Sequence, residues 1–462
     1  MSIQCPSLQS SSADSLYKLV LPIAYTQKSV IKPATFAMSP SLPSGDSPDL
    51  HLVVSTPEEI IAQQQANSDE WRGVLSLPAY LRREEMLAEQ DLTKDGGLTA
   101  WALVYQPPGS SEEDRRVVCG CETIRKRALV ASNNAVEFVT AHGVCSVFCP
   151  PQNRGKGYAG RMMNELGERL KTWQSKGQSN LFSVLWSDIG KVRRCCNNSA
   201  IHQSIPIRTT PQHLPIPRSS PQQDFYAARG WRAFPSSHIS LDANPEIPSD
   251  LPPTQSLKAT DLHYLCESDE SALISQIPKG QKPTVALVPD IATLSWHHAR
   301  EEFTASELFS DKNRKPEIKG AIVESEAGKQ AWCIWTRVWT NPSEEDGNTL
   351  HILRLVVEDG LLGGLDSFSA ADETGVANVQ DSEAVAAVAA LFAAARKEAS
   401  EWEMEAVEFW NPNSVALAAA RKLGAGAKVH EREKASISSL RWYGEGSGDE
   451  VEWACNEKYG WC

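Results

Sequence analysis

Apolar and polar positions along the chain keep two rhythms, and the changes between them mark its elements. "DLHLVVST" (Asp49–Thr56) alternates as a strand. "PEEIIAQQQ" follows, with a proline and two acids in its first turn, the start signature of a helix. "AYLRREEMLAEQ" (Ala79–Gln90) predicts a second helix. Strands are predicted over Leu98–Gln106 and Arg116–Ile124, separated by the turn-forming "PPGSSEED", and again over Val136–Phe148. Met162, Met163, Leu166, Leu170 and Trp173 then recur every three or four residues, a helix whose apolar stripe serves core packing. Asn180–Asp188 is the next strand. The order strand, helices, three strands, helix, strand predicts an α/β fold, an α+β mixed sheet.

Beyond the proline-rich linker "NPEIPSDLPPTQS" (Asn244–Ser256) the pattern repeats. "KGAIVES", "QAWCIWTRVWT" and "TLHILRLVVED" (Thr349–Asp359) predict three strands. Asp381–Trp402 reads as a long Ala-rich helix with Val385, Val388, Leu391 and Phe392 on one face, and Met404–Pro412 as a strand. "VEFWNPNSVALAAARKLGA" echoes "SVLWSDIGK…DFYAARGW", so the halves are read as a degenerate internal duplication. The expected division is a disordered tail over 1–48, a first domain over 49–243, a linker over 244–256 and a second domain over 257–462.

Composition narrows the function. Hydrophobic and charged contents of 41% and 22% are those of a globular protein. The formal net charge is −13 and no Lys/Arg block is visible, which argues against a nucleic-acid or anionic-membrane partner and is compatible with an amine substrate. No apolar run reaches the ~18–20 residues that span a bilayer. The eleven cysteines form no CxxC pair. Cys119/Cys121 and Cys145/Cys149 sit in apolar strand-like runs, so buried free thiols in a reducing, cytoplasmic compartment are expected, with no metal site.

One stretch breaks the pattern. Val192–Gln223 carries five prolines and four arginines, with no Asp, Glu, Gly or aromatic residue. It interrupts what otherwise joins as "WSDIGK-DFYAARGW", a short helix closed by Gly230. Two readings stand: a disordered surface loop, or an intron translated in frame, since valine codons begin with GU and a glutamine codon can end in AG.

The chemistry centres on "VFCPPQNRGKGYAGRMM" (Val147–Met163). Gln152, Arg154, Gly155 and Gly157 fit Q/R-x-x-G-x-G/A between a strand and a helix. Glycines let successive N–H groups face one concavity, and the start of the following helix adds free donors and a positive dipole end. Such a turn is an anion cradle suited to a pyrophosphate. It is neither a P-loop nor a dinucleotide fingerprint. The equivalent turn of the second half, "GLLGGLDSFSAADETG", lacks this spacing, so that copy is expected to have lost the ligand function.

The order strand, cradle, helix, strand and "DFYAARGW" resembles the GNAT acyl-CoA N-acyltransferases. "CETIRKRALV", "SVLWSDIG" and the tail "EVEWACNEKYGWC" look, more narrowly, like the fungal lysine N-acetyltransferases, over roughly residues 50–462 without the insert. The resemblance implies a GNAT domain followed by a degenerate GNAT-like domain. It implies acetyl-CoA as acyl donor, no metal, and free L-lysine as acceptor in lysine catabolism. The alternatives are another amine, such as a polyamine or a protein lysine, or a non-catalytic CoA-binding scaffold inactivated by the insert. By the same resemblance Val147 and Phe148 offer the strand edge for the thioester arm, while Gln152, Arg154, Gly155, Lys156, Gly157, Tyr158 and Ala159 take the pyrophosphate.

A lysine amine, with a pKa of about 10.4, needs a base before it can attack, and the departing thiolate needs a proton. Tyr226, four residues before Gly230, is the candidate acid, with a packed aromatic as the alternative. His142 is the first candidate base, with a structural histidine as the alternative. Glu122 and Glu137 are further candidates, and Glu122 is also placed to meet the substrate's ammonium. Cys145 and Cys149 have no evident basic partner, so direct attack in a ternary complex is expected. Trp335, Trp339 and Trp410 are named for selection of the acceptor, with core packing as the alternative.

Overall fold

Two mixed sheets organise the computed structural model, which describes residues 41–111, 114–175, 177, 179–188, 223–310, 314–325, 328–341, 347–358, 379, 382–424, 427–433 and 435–461. The first half supplies β1 (Leu50–Val54), β2 (Leu98–Tyr105), β3 (Arg116–Ser132), β4 (Ala135–Phe148), β5 (Asn180–Ser187), β6 (Arg232–Ala233) and β7 (Ser237–Asp242). The second supplies β8 (Gln255–Lys258), β9 (Thr284–Leu287), β10 (Ile318–Glu324), β11 (Gln330–Val338), β12 (Thr349–Val357), β13 (Ala406–Trp410), β14 (Lys428–Glu431), β15 (Ile437–Trp442) and β16 (Glu452–Trp453).

The sheets run β1-β2-β3-β4-β5-β15-β6 and β14-β7-β13-β12-β11-β10-β8. Read from opposite ends, the two orders match position for position. Along these paths each sheet has one parallel pair in the same place, β4 with β5 and β12 with β13, and the first sheet also takes in β9 beside β3 and β16 beside β9. This symmetry is the duplication expected from the echoing segments, and the mixed α/β sheet is the predicted fold class.

The halves nevertheless trade one strand each. β7 of the first half pairs with β13 and β14, and β15 of the second half lies between β5 and β6. The expected division at 243/244 therefore does not separate the sheets. Gln255 and Ser256, placed in the linker, belong to β8. The exchange is invisible to periodicity, because a strand reads the same whichever sheet receives it.

Helices cover the sheets. α1 (Pro57–Trp71) opens with a capping box in which Thr56 and Glu59 exchange hydrogen bonds of 2.8 and 3.2 Å. α2 (Leu77–Ala88) follows it. α3 (Tyr158–Leu170) buries the predicted stripe Met162, Met163, Leu166 and Leu170 completely. α4 (Gln223–Ala227) is followed by a turn that closes at Gly230, whose φ of +87° lies in the left-handed region that favours glycine. The second half adds α5 (Leu262–Gln276), α6 (Ile291–Leu308), α7 (Glu383–Glu401) and α8 (Ser414–Lys422). Val385, Val388, Leu391 and Phe392 of α7 sit in the largest core.

β3 outruns its predicted end at Ile124. Its "RKRALVAS" continuation pairs with β4 on one side and, over Ala128–Ala131, with β9 on the other. The tail expectation changes as well. Residues from Pro43 onward belong to one compact unit, and the Gly45 N–H bonds to the Lys156 carbonyl at 2.7 Å. The insert Val192–Gln223 lies outside the described residues except at its last position, where α4 begins, and the turn over 360–375 lies wholly outside them.

Candidate active site

β4 carries the site because it is broken in two ways near its end. Gly120 faces Phe148 but Glu122 faces Cys145, so one extra residue bulges from β4, and Ser146 adopts φ +51° to accommodate it. On the other side β4 pairs with β5 only from Thr140 to Val144. Cys145–Phe148, including the predicted Val147 and Phe148, therefore border a gap where the two parallel strands part.

The cradle lies just beyond. Pro151–Asn153, with Gln152 exposed, makes one 3-10 turn. Gly155 (φ +79°) and Gly157 (φ +87°) then turn the backbone through the left-handed region, where a side chain is strained. Gly157 is the N-cap of α3, and no side chain caps that helix. Its first donors, including those of Tyr158 and Ala159, are left to whatever enters a cavity of about 210 Å³. Arg154, Phe225 and Arg229 join the glycines in lining it. A Cβ on Gly155 would stand in open space, so the room beside the turn is real. Two guanidiniums and uncapped amides at a helix start fit a diphosphate. Lys156 is exposed at the rim.

Glu122 is moved well away from ordinary carboxyl behaviour. Its side chain shares a niche with Gln63, Gln64, Asn67 and Ser146. Burial first, then the neighbouring Glu84, push its carboxyl up to about 7, against the pull of a hydrogen bond with Ser146. A carboxyl poised there exchanges protons at neutral pH.

Tyr226 is buried at 6% exposure on α4. Burial, then Cys121 and Asp188, raise its phenol, so it keeps its proton. Glu122 in turn acts on Cys121, so both candidates lie within electrostatic reach of one thiol. His142 does not join them. The pairings Arg125–His142 and Glu122–Cys145 put His142 on the opposite face from Glu122. It is wholly buried, 3.2 Å from Gln174 beyond the far end of α3, a helix about 20 Å long that starts at the cradle. Burial lowers it to about 4. Glu137 is exposed, towards the start of β4.

Cys119, Cys121 and Cys149 are free, and burial raises all three thiols, which disfavours a thiolate nucleophile. Trp335 and Trp339 are core residues. Trp410 is different: Arg432 and Lys458 both lie over its ring, at 4.1 and 4.2 Å. Glu84, Ser146, Arg300, Lys458 and Trp461 all lie around the Glu122 side of the sheet, and none was singled out from the sequence. The quoted tail holds two of them, but nothing in its pattern reveals where it packs.

Residues 238–462 match the family model described as LYC1 GNAT-like C-terminal domain, and the match begins within β7. A lysine acetyltransferase of Yarrowia lipolytica is 26% identical over 152 residues, 30% of this chain and 37% of that protein. An uncharacterized protein of Saccharomyces cerevisiae is 25% identical over 161 residues, 30% of this chain and 40% of that protein. The chain thus spans about two fifths of the length of the curated relatives it matches. A GCN5-related N-acetyltransferase structure from Kribbella flavida superposes with a TM-score of 0.43 at 15% identity, covering 85% of this chain and 71% of that one.

Proposed function

The chain is a member of the GNAT superfamily with affinity to the lysine acetyltransferases, and from that premise we propose that it transfers the acetyl group of acetyl-CoA to the side-chain amine of free L-lysine. The observation that carries the reading is the uncapped glycine turn at the start of α3, set beside the parted, bulged end of β4. The turn takes the diphosphate. The unpaired edge at Val147 and Phe148 takes the thioester arm.

The amine enters from the α1–α2 side. Glu122, poised near neutrality, takes a proton from the substrate ammonium. The freed nitrogen attacks the thioester carbonyl, the carbon–sulfur bond breaks, Tyr226 gives its proton to the leaving thiolate, and the second proton that the nitrogen sheds on becoming an amide restores the Tyr226 phenol through solvent. No acyl-cysteine is needed, in keeping with the raised thiols. Release of free thiol from acetyl-CoA with a panel of amines tests the reading. Turnover on L-lysine and none on lysine-containing peptides is expected. Turnover on a polyamine or a peptide alone replaces the acceptor. Binding of acetyl-CoA with no turnover on any amine, by the chain with or without Val192–Gln223, overturns the enzyme.

A further inference from the structure

We infer that Arg300 and Lys458 hold a carboxylate of the acceptor, so that the amine entering this site is one end of an amino acid; the inference rests on the acetyl-transfer reading above. It starts from the C-terminal tail. Arg354 binds Asp269 through two hydrogen bonds of 2.8 Å and also meets Glu457, whose other oxygen accepts the Leu355 N–H at 3.0 Å. Tyr459 is wholly buried, with its hydroxyl on the Leu287 carbonyl at 2.7 Å. Lys458 and Trp461 are thus held in place. Trp461 packs in one apolar cluster with Ile124 and Cys145, beside the bulge of β4.

Two cations there lie against indole rings and not against carboxylates. The Lys458 ammonium lies 4.2 Å from the Trp410 ring and 4.1 Å from the Trp461 ring, and the Arg300 guanidinium lies 5.6 Å from Trp461. Among the described residues neither cation forms an ion pair. Three other buried cations do have carboxylate partners, Lys319 and Arg337 with Glu301 and Arg354 with Asp269, while Lys126, on the long strand β3, has none among the described residues. Buried or half-buried cations with no carboxylate in direct contact are unfavourable, and an incoming carboxylate that reaches them relieves that cost. The nearest acids are engaged. Asp188 accepts from the Ser436 N–H at 2.7 Å, and Glu408 lies between His238 and His351 at 3.7 and 3.5 Å. Arg300 also feels Tyr80, Arg83 and Glu84, and Glu84 acts on Glu122. The amine then lies at Glu122 and the carboxylate at Arg300 and Lys458, and Trp461, whose ring both cations lie against and which packs with Ile124 and Cys145, stands beside the strand that carries Glu122.

Lys458 adds a pH signature. Burial, opposed by Asp188 and Glu408 and reinforced by Arg300 and Arg432, brings it down to about 7. His297 and His351 also face it, and burial lowers both, so they are neutral there. The anchor weakens as pH rises through 7.

Steady-state rates with L-lysine and with cadaverine, the same diamine without the carboxylate, test the inference. Wild type should prefer lysine by about 100-fold or more in kcat/KM. Lys458→Met and Arg300→Met should each erase most of that preference, with KM rising far more for lysine than for cadaverine or acetyl-CoA. Lys458→Arg should restore the preference and remove the rise in lysine KM above pH 7. Equal use of lysine and cadaverine by wild type, or equal loss of both in the variants, overturns the anchor and leaves the transferase standing. If no amine is acetylated, the transferase reading fails. Calorimetry then decides the anchor: lysine binding lost in Lys458→Met supports it, and no lysine binding overturns it.

Discussion

Replacing Glu122 by glutamine separates stability from activity. The carboxyl is raised from its ordinary 4.5 to about 7, and burial is the main cause. Below pH 4.5 folded and unfolded chains both hold the proton, and the position costs nothing on this account. Between 4.5 and 7 the folded chain keeps a proton that the unfolded chain has shed, so stability falls as pH rises. Above 7 the folded chain carries the full cost of a buried carboxylate, about 3 kcal/mol. Glutamine keeps the shape and stays neutral. Glu122→Gln should therefore match wild type near pH 4.5 and exceed it by about 3 kcal/mol at pH 8, read from urea midpoints at each pH. The same change removes the base. kcat/KM should fall by about 10²–10³, and the rise in rate towards pH 7 expected of wild type should vanish. A stability difference that does not grow with pH, or a variant that keeps the rising limb, refutes the reasoning.

Gly157→Val forces a branched side chain into φ +87° at the start of α3 and should raise KM for acetyl-CoA about tenfold or more, since such strain costs about 1–2 kcal/mol. Tyr226→Phe should lower kcat about 10–100-fold with both KM values nearly unchanged, as expected for loss of an acid that acts on the leaving thiolate. His142→Gln should leave the pH–rate profile unmoved, because His142 lies on the other face of the sheet; a shifted profile would return it to the mechanism. A chain ending at Ser256 should fail to give a soluble, cooperatively unfolding product, since the first sheet then lacks β15 and exposes the edge of β5.

Much of the fold was legible because its signals are local. The stripe from Met162 to Leu170 and the strands around it follow from spacing alone, and the glycine turn announces itself by composition. Glu122 was visible only as one carboxylate among several. Its distinction comes from Glu84 on α2 and from a bulge at Ser146 that no alternation marks. His142 looked stronger from sequence, since its ordinary pKa suits a base. Only the pairing with Arg125 and the contact with Gln174 reveal that it faces the other way. Arg300 and Lys458 were beyond reach, because an unpaired charge is defined by what does not surround it.

The two copies differ where function would demand it. α3 and α7 occupy equivalent places after the fourth strand of their sheets. At α3 the N-cap is Gly157, which offers no side chain, and the helix donors stay free. At α7 it is Ser382, whose hydroxyl accepts the Val385 N–H at 3.3 Å. A helix start that caps itself has fewer donors left for a phosphate. Freed from that task, the second half supplies other things: β15 to complete the first sheet, and a tail that sets Lys458 and Trp461 beside β4. With β7 and β15 exchanged, neither half can drift from the other without opening a sheet. The strand trade thereby fixes the distance between Glu122 on one half and Arg300 on the other, the distance an amino acid with a terminal amine would have to bridge.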